Sequence, residues 1–142
     1  MTVSIPANIL QDLKVLVIED DPDSLEVATR LLKHYGATVY QAFNGQEGLE
    51  TLQRVTPDFI ICDLAMPVLD GWEFISEIKK NRPTSIIPTF ALTANAMPHH
   101  RHQAIEAGFY NFMTKPLTPA SFMKDLIRLL EDMPQFQQRI KK

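Results

Sequence analysis

One cysteine, one tryptophan and five glycines in 142 residues close off several classes of protein at once. Cys62 alone cannot form an intrachain disulfide, so a core rather than cross-links must hold the fold. So little glycine excludes collagen-like and flexible low-complexity sequence. No apolar run approaches the roughly 20 residues that cross a bilayer. No basic, apolar leader with a small-residue cleavage site opens the chain, and the expectation is a cytoplasmic protein. A net charge of -3 gives no general attraction to nucleic acid or to a membrane surface. Internal repeats are missing too. What is present is 45% hydrophobic and 22% charged residues, the balance of one globular domain with its own core.

Five short apolar runs alternate with amphipathic stretches, as in an α/β fold whose strands are buried on both faces and joined by crossover helices. Val15-Leu16-Val17-Ile18 stops at Glu19, Asp20, Asp21 and Asp23. Asp23 with Glu26 reads as a capping box, opening a helix that buries Leu25, Ala28, Leu32 and Tyr35 and ends at Gly36. Thr38 to Tyr40 is the second strand; Asn44 with Glu47 caps a helix burying Leu49, Leu52 and Val55. Phe59 to Cys62 is the third, followed by Asp63 and a turn, Met66 to Gly71, into a helix carrying Phe74, Ile75 and Ile78. Ile87 to Leu92 is the fourth strand, with Thr93 to Ala96 as its loop. Pro98 starts a helix that closes on Gly108, and Tyr110 to Met113 is the fifth strand. Thr118 and Pro119 open the last helix, with Phe122, Leu126, Leu129 and Met133 as its buried stripe and Pro134 as its stop.

This divides the chain into an extension (1–13), one domain (14–132) and a tail (133–142). Ser4-Ile5-Pro6 with Ile9, Leu10 and Leu13 reads as a short helix on the core or as a disordered leader. The tail, with Arg139, Lys141 and Lys142, reads as a solvated end.

A parallel sheet gathers its ligand site at the carboxyl ends of its strands. The first strand delivers Glu19 and Asp20 there, the third Asp63, the fourth Thr93, and the fifth leads to Lys115. One polar strand end needs no explanation; five with complementary chemistry do. Carboxylates within about 4 to 6 Å of one another either raise a pKa or recruit a cation. Oxygen-only ligands in a small open pocket suit Mg²⁺ or Mn²⁺. A central carboxylate can then act as nucleophile toward a phosphoryl group while metal and lysine neutralise charge. Asp63, flanked by the first and fourth strands, is the expected nucleophile.

These residues stand in motifs that resemble the receiver domain of bacterial response regulators, the chemotaxis-type phosphoacceptor module. The motifs are Val17-Ile18-Glu19-Asp20-Asp21, Ile61-Cys62-Asp63-Leu64-Ala65-Met66-Pro67 with Asp70-Gly71, Ala91-Leu92-Thr93-Ala94, and Thr114-Lys115-Pro116. The resemblance covers about residues 14–132. It implies a doubly wound, flavodoxin-like sheet of five parallel strands in the order 2-1-3-4-5, an order the chemotaxis receiver itself exemplifies. It implies that Asp63 accepts a phosphoryl group from a sensor histidine kinase or a histidine phosphotransfer protein. It also implies that Asp20, Asp63 and the Ala65 carbonyl ligate Mg²⁺, with Glu19 acting through water. Lys115 would pair with phosphoryl oxygens, its bond to Pro116 would be cis, Thr93 would turn its hydroxyl to the phosphoryl group, and Phe112 would be the switch aromatic. The implied chemistry is the chain's own aspartyl phosphorylation and dephosphorylation, not turnover of a separate substrate. A monomer or a weak phosphorylation-dependent dimer is implied as well.

Other residues invite plainer readings. His99, His100 and His102 lack further zinc ligands and suit an exposed partner-binding face. Cys62 is expected to pack in the core, Trp72 to lie partly exposed on its helix, and the six methionines to fill gaps. A flavin carrier would need a hydroxyl- and glycine-rich loop after the first strand, where this chain has acids. A haloacid-dehalogenase-type phosphatase would need a second acid where Ala65 stands. A phosphate-independent interaction module, or a receiver excised from a larger regulator or hybrid kinase, are the remaining alternatives.

Overall fold

Runs such as Val15 to Ile18 have no polar face to turn to water, so they are stable only in a sheet covered on both sides. The computed structural model, which describes residues 5–95 and 97–140 with side chains to 137, contains that sheet. The elements follow as β1 Lys14–Ile18, α1 Pro22–His34, β2 Thr38–Ala42, α2 Gly45–Leu52, β3 Phe59–Asp63 and α3 Gly71–Lys79. After them come α4 Arg82–Ser85, β4 Thr89–Thr93, α5 Pro98–Ala107, β5 Asn111–Thr114, α6 Pro119–Glu131 and α7 Pro134–Ile140. All five strands are parallel, in the order β2-β1-β3-β4-β5.

Successive strand residues point to opposite faces and so feed two cores. Val15, Val17, Phe59, Ile61, Phe90 and Leu92 pack with α1 and α6 on one side. Leu16, Ile18, Ile60, Cys62 and Ala91 pack with Phe74, Ile75 and Ile78 of α3 and Ala104 of α5 on the other. Full burial contributes about 1.5–3 kcal/mol for each such large side chain. The register then decides the rim. Ile18 lies level with Cys62, Asp63 with Leu92, and Thr93 with Thr114. Glu19 and Lys115, one residue further along their strands, therefore emerge at the same edge as Asp63 and Thr93.

Several local expectations are corrected. Asp21, not Asp23, caps α1, because Pro22 occupies the first turn and Asp21 accepts from the Ser24 N–H at 3.2 Å. The buried positions of α2 are Gly45, Gly48 and Thr51, whereas Leu49, Leu52 and Val55 are half-buried. A β-carbon on Gly48 would lie 3.1 Å from the Phe74 ring, so glycine lets this helix lie close to α3. β4 starts at Thr89, after Ile87 and Pro88, and β5 runs one residue later than expected, to Thr114. The α6 stripe is Phe122, Met123, Leu126 and Leu130, with Leu129 half-buried. Met113, Met123 and Met133 are buried as filler, but Met97 is 56% exposed.

The ends also differ from expectation. Residues 7–12 form turns, neither a helix nor a loose leader, with Ile9, Leu10 and Leu13 buried in the first core and the Leu10 N–H donating to the Tyr35 carbonyl at 2.8 Å. Past Pro134 the chain turns helical again, and Phe136 is 3% exposed, edge-on to Phe59 at 5.9 Å. Met1, Ser4, Ala96, Lys141, Lys142 and the Arg139 side chain lie outside the description. Among the described residues no helix is long and apolar enough to cross a membrane.

Phe136→Ala should therefore lower unfolding stability by about 3 kcal/mol, the ordinary cost of emptying a buried aromatic site. Urea denaturation measures this, and an unchanged midpoint would show that α7 contributes nothing to the core.

Candidate functional site

The rim is built by strand ends and by glycine. Gly71 opens α3 directly behind Asp63: a β-carbon there would collide with the Asp63 carbonyl oxygen and come 2.8 Å from the Leu64 α-carbon. Asp70 and Glu73 close a reciprocal capping box over that turn, each side chain accepting from the other's backbone N–H. Two residues before Asp70, Val68 has φ 68° at the centre of a tight turn in which the Leu69 N–H donates to the Pro67 carbonyl at 2.7 Å. A β-branched residue in the left-handed region is strained, and such strain gathers in functional loops.

Asp63, Glu19 and Lys115 meet as the sheet register dictates. The Lys115 ammonium lies 2.6 Å from Glu19 Oε1 and 3.1 Å from Asp63 Oδ2. Its backbone N–H is held by the Thr93 carbonyl at 2.9 Å, and the Lys115–Pro116 peptide is cis. Glu19 is fully buried; its Oε2 accepts from the Asp21 N–H at 3.2 Å, while Oε1 faces the Lys115 ammonium. Burial first, then the neighbouring Asp63, pushes the Glu19 carboxyl up to about 8, against the lowering pull of Lys115. Desolvation works against the Lys115 charge, but hydrogen bonding and attraction from Glu19 and Asp63 outweigh it, and its pKa is raised.

Oxygens of Glu19, Asp20 and Asp63 lie within 4.8 Å of one another, with Asp20 exposed. A hard divalent cation fits this set: the ligands are all oxygen, three carboxylates converge, and among the described residues the Lys115 ammonium is the cation paired with them. Ala65 is exposed in the adjoining loop, its N–H 3.4 Å from Asp63 Oδ1.

Thr93 is buried, and its described hydrogen bonds go to Asn95 and His100 rather than to Asp63. Phe112 is half-buried under the Arg101 guanidinium, 5.0 Å from its ring centroid. The three histidines do not form one face. His99 is exposed, His102 pairs with Glu106 at 2.9 Å, and His100 turns inward to Thr93 and to the half-buried Trp72. Sequence reasoning grouped His100 with His99 and His102 as an exposed partner-binding face and did not single out Arg101. Their place at the start of a polar helix was visible, but the rotation of that helix over the rim was not.

A five-stranded parallel sheet carrying an acidic trio, a threonine and a lysine at one rim defines a receiver-type signalling module. The chain matches the response regulator receiver domain family over residues 15–127, and it belongs to that family. It is 36% identical over 122 residues to an uncharacterized 14.6 kDa protein of Leptolyngbya boryana, covering 86% of this chain and 90% of that one. It resembles the chemotaxis response regulator CheY4 of Vibrio cholerae with TM-score 0.78 and 29% identity, over 83% of this chain and 98% of that one. The receiver domain of the sensor histidine kinase PA1611 of Pseudomonas aeruginosa, solved with a magnesium ion in its active site cleft, matches with TM-score 0.73 and 30% identity, over 82% and 96% of the two chains. Some relatives are longer: the chain spans 53% or less of several, sensor kinases among them. The family is a module of two-component signal transduction rather than a conventional enzyme.

The raised Glu19 pKa gives the site a signed pH dependence. Between its ordinary 4.5 and about 8 the folded state keeps a proton that the unfolded state has lost. This contribution to stability is complete below the lower value and disappears as pH rises through the upper one. Lys115→Met removes the countercharge, so it should destabilise the metal-free protein by about 2–3 kcal/mol at pH 8 and by less at pH 5. Urea titrations at the two pH values check this; an equal loss at both would contradict the assigned coupling.

Proposed function

We propose that Asp63 is the phosphoacceptor of a two-component pathway, taking its phosphoryl group from a phosphohistidine on a sensor kinase or a phosphotransfer protein. The observation that carries this reading is the position of Asp63, the central strand end, between the Lys115 ammonium and the Glu19 and Asp20 oxygens. An Asp63 carboxylate oxygen attacks phosphorus; the new O–P bond forms as the donor N–P bond breaks, and the released imidazole takes up a proton. Lys115 is placed to follow the transferred oxygens, having Asp63 Oδ2 already within 3.1 Å. Asp20, Asp63 and the Ala65 carbonyl would hold Mg²⁺ or Mn²⁺ directly and Glu19 through water, the ion neutralising charge on the phosphoryl oxygens when bound. Family membership supports a magnesium site at this rim, as does the magnesium ion in the active site cleft of the PA1611 receiver.

Phosphorylation places about -1.5 to -2 charges at Asp63. That charge favours the Thr93 rotamer that donates to it, and the space vacated lets Phe112 turn inward. Phe112 has no hydroxyl and signals by packing alone. The surface that changes is then the one formed by α5, β5 and α6, where a downstream protein would bind.

A small phosphodonor such as acetyl phosphate, with Mg²⁺, should add one phosphoryl mass to the intact chain and none to Asp63→Ala. Mass spectrometry reads this directly, and an adduct retained in the variant, or formed equally under chelator, would sink the assignment. Mg²⁺ should also raise the melting temperature, because only the folded chain gathers the three carboxylates; a tenfold excess over Kd contributes about 1.4 kcal/mol. Asp20→Asn should lose most of that response in a magnesium titration reaching millimolar concentration.

A further inference from the structure

Thr93 has a single hydroxyl, and the structure shows it fully engaged. Its Oγ accepts from the Asn95 N–H at 3.0 Å, lies 3.3 Å from the Asn95 carbonyl, and is 3.2 Å from Nε2 of His100. One proton and two lone pairs are all a hydroxyl offers, so these three neighbours saturate it. A Thr93 hydroxyl that donated to a group on Asp63 would have to withdraw its proton from this set and rotate its oxygen away from His100.

His100 is held in place for this contact. Unlike His99 and His102 it is half-buried, and its ring stands edge-on to Trp72 at 5.7 Å. Trp72, in the first turn of α3, stands edge-on to Phe109 at 6.0 Å, just ahead of β5. Packing thus fixes the imidazole plane, and the nitrogen reaching Thr93 belongs to the first turn of α5. A ring fixed on one side and hydrogen-bonded on the other is a latch with two positions, bonded and released.

We propose that His100 is a positioning residue that latches the Thr93 hydroxyl in its resting orientation, and that release of this contact couples Asp63 phosphorylation to the first turn of α5. The proposal rests on the reading of Asp63 as phosphoacceptor and adds to it the group that opposes activation. The bond favours the unphosphorylated state, so removing it should shift the balance toward the activated one without any new contact to the phosphoryl group.

The test is a titration of ¹⁵N-labelled protein with beryllofluoride and Mg²⁺, a stable mimic of an aspartyl phosphate, followed by NMR. In the wild type the Nε2 resonance of His100 should move together with the amide resonances around Asp63. His100→Phe keeps an aromatic ring against Trp72 but has no polar atom for Thr93; it should half-saturate at about three- to tenfold lower beryllofluoride. His100→Gln restores a polar group near the position of Nε2 and should stay close to wild type. His100→Phe equal to wild type, or His100→Gln following His100→Phe, overturns the latch. Should His100→Phe not fold, the wild type decides: an Nε2 resonance unmoved at saturation overturns it. Wild-type amides around Asp63 that never respond refute the phosphoacceptor reading, and the latch with it.

Discussion

The rim depends on one ammonium shared by two carboxylates. Lys115 follows the edge strand β5, Asp63 ends the central strand β3, and Glu19 follows β1, so this cation ties three strand ends together. Without it, Glu19 and Asp63 would face each other with no countercharge, and Glu19 is fully buried. The cation does not make the cluster a source of stability. Charges withdrawn from water lose about as much hydration energy as a buried pair returns. At Glu19, burial and the facing Asp63 outweigh the pull of Lys115, and its pKa is raised. Two apolar cores on either face of the sheet carry the fold, and they hold an acidic site that would not assemble for its own sake. A site kept in that condition gains when positive charge arrives, which is the requirement for metal-assisted phosphoryl chemistry.

Backbone constraints place the same site. Gly71 brings α3 against the Asp63 carbonyl, and Gly45 brings α2 against Leu69, where a β-carbon would sit 2.6 Å from the Leu69 carbonyl oxygen. The loop that follows Asp63 is therefore clamped at both ends while Val68 at its tip is 78% exposed. Asp70 and Glu73 pair each other's backbone N–H groups, the Gly71 N–H donates to the Leu64 carbonyl, and charge compensation at Asp63 comes from Lys115.

The strands were legible in the sequence because each apolar run ends abruptly at a polar residue, and parallel pairing then brings those residues to one edge; their order came from the resemblance to receiver domains. Glu19, Asp20, Asp63, Thr93 and Lys115 could be named from that logic and from the motifs around them. Other features required tertiary information. Asp23 and Glu26 have the spacing of a capping box, but Pro22 starts α1 earlier and gives the cap to Asp21. Leu49 and Leu52 look like the buried side of α2, yet the close approach of two helices selects Gly48 for that position. Pro134 stops α6 as its chemistry requires but also serves as the first residue of α7, and nothing local announces that Phe136 will meet Phe59. His100 is one of three near-identical neighbours; only the rotation of α5 over β4 distinguishes it.

That rotation has a consequence for how a signal could leave the rim. His100 and Arg101 are consecutive on α5; one contacts Thr93 and the other lies over Phe112. In the proposed mechanism these are the two residues that move, so a single turn of helix holds both in their resting arrangement. Neither hold is strong: a hydrogen bond contributes about 0.5–1.5 kcal/mol net, and an exposed cation over a ring about 0.5–1. Moving a population from 1:99 to 99:1 needs about 5.5 kcal/mol of differential stabilisation, more than either contact can oppose or supply. A phosphoryl group bonded to Lys115, Thr93 and a metal ion reaches that range only by acting through all of them together. Weak holds on one helix against several charged contacts at one phosphoryl group give a resting state that is biased rather than locked. Its response to phosphorylation is then a shift of population, registered first on α5.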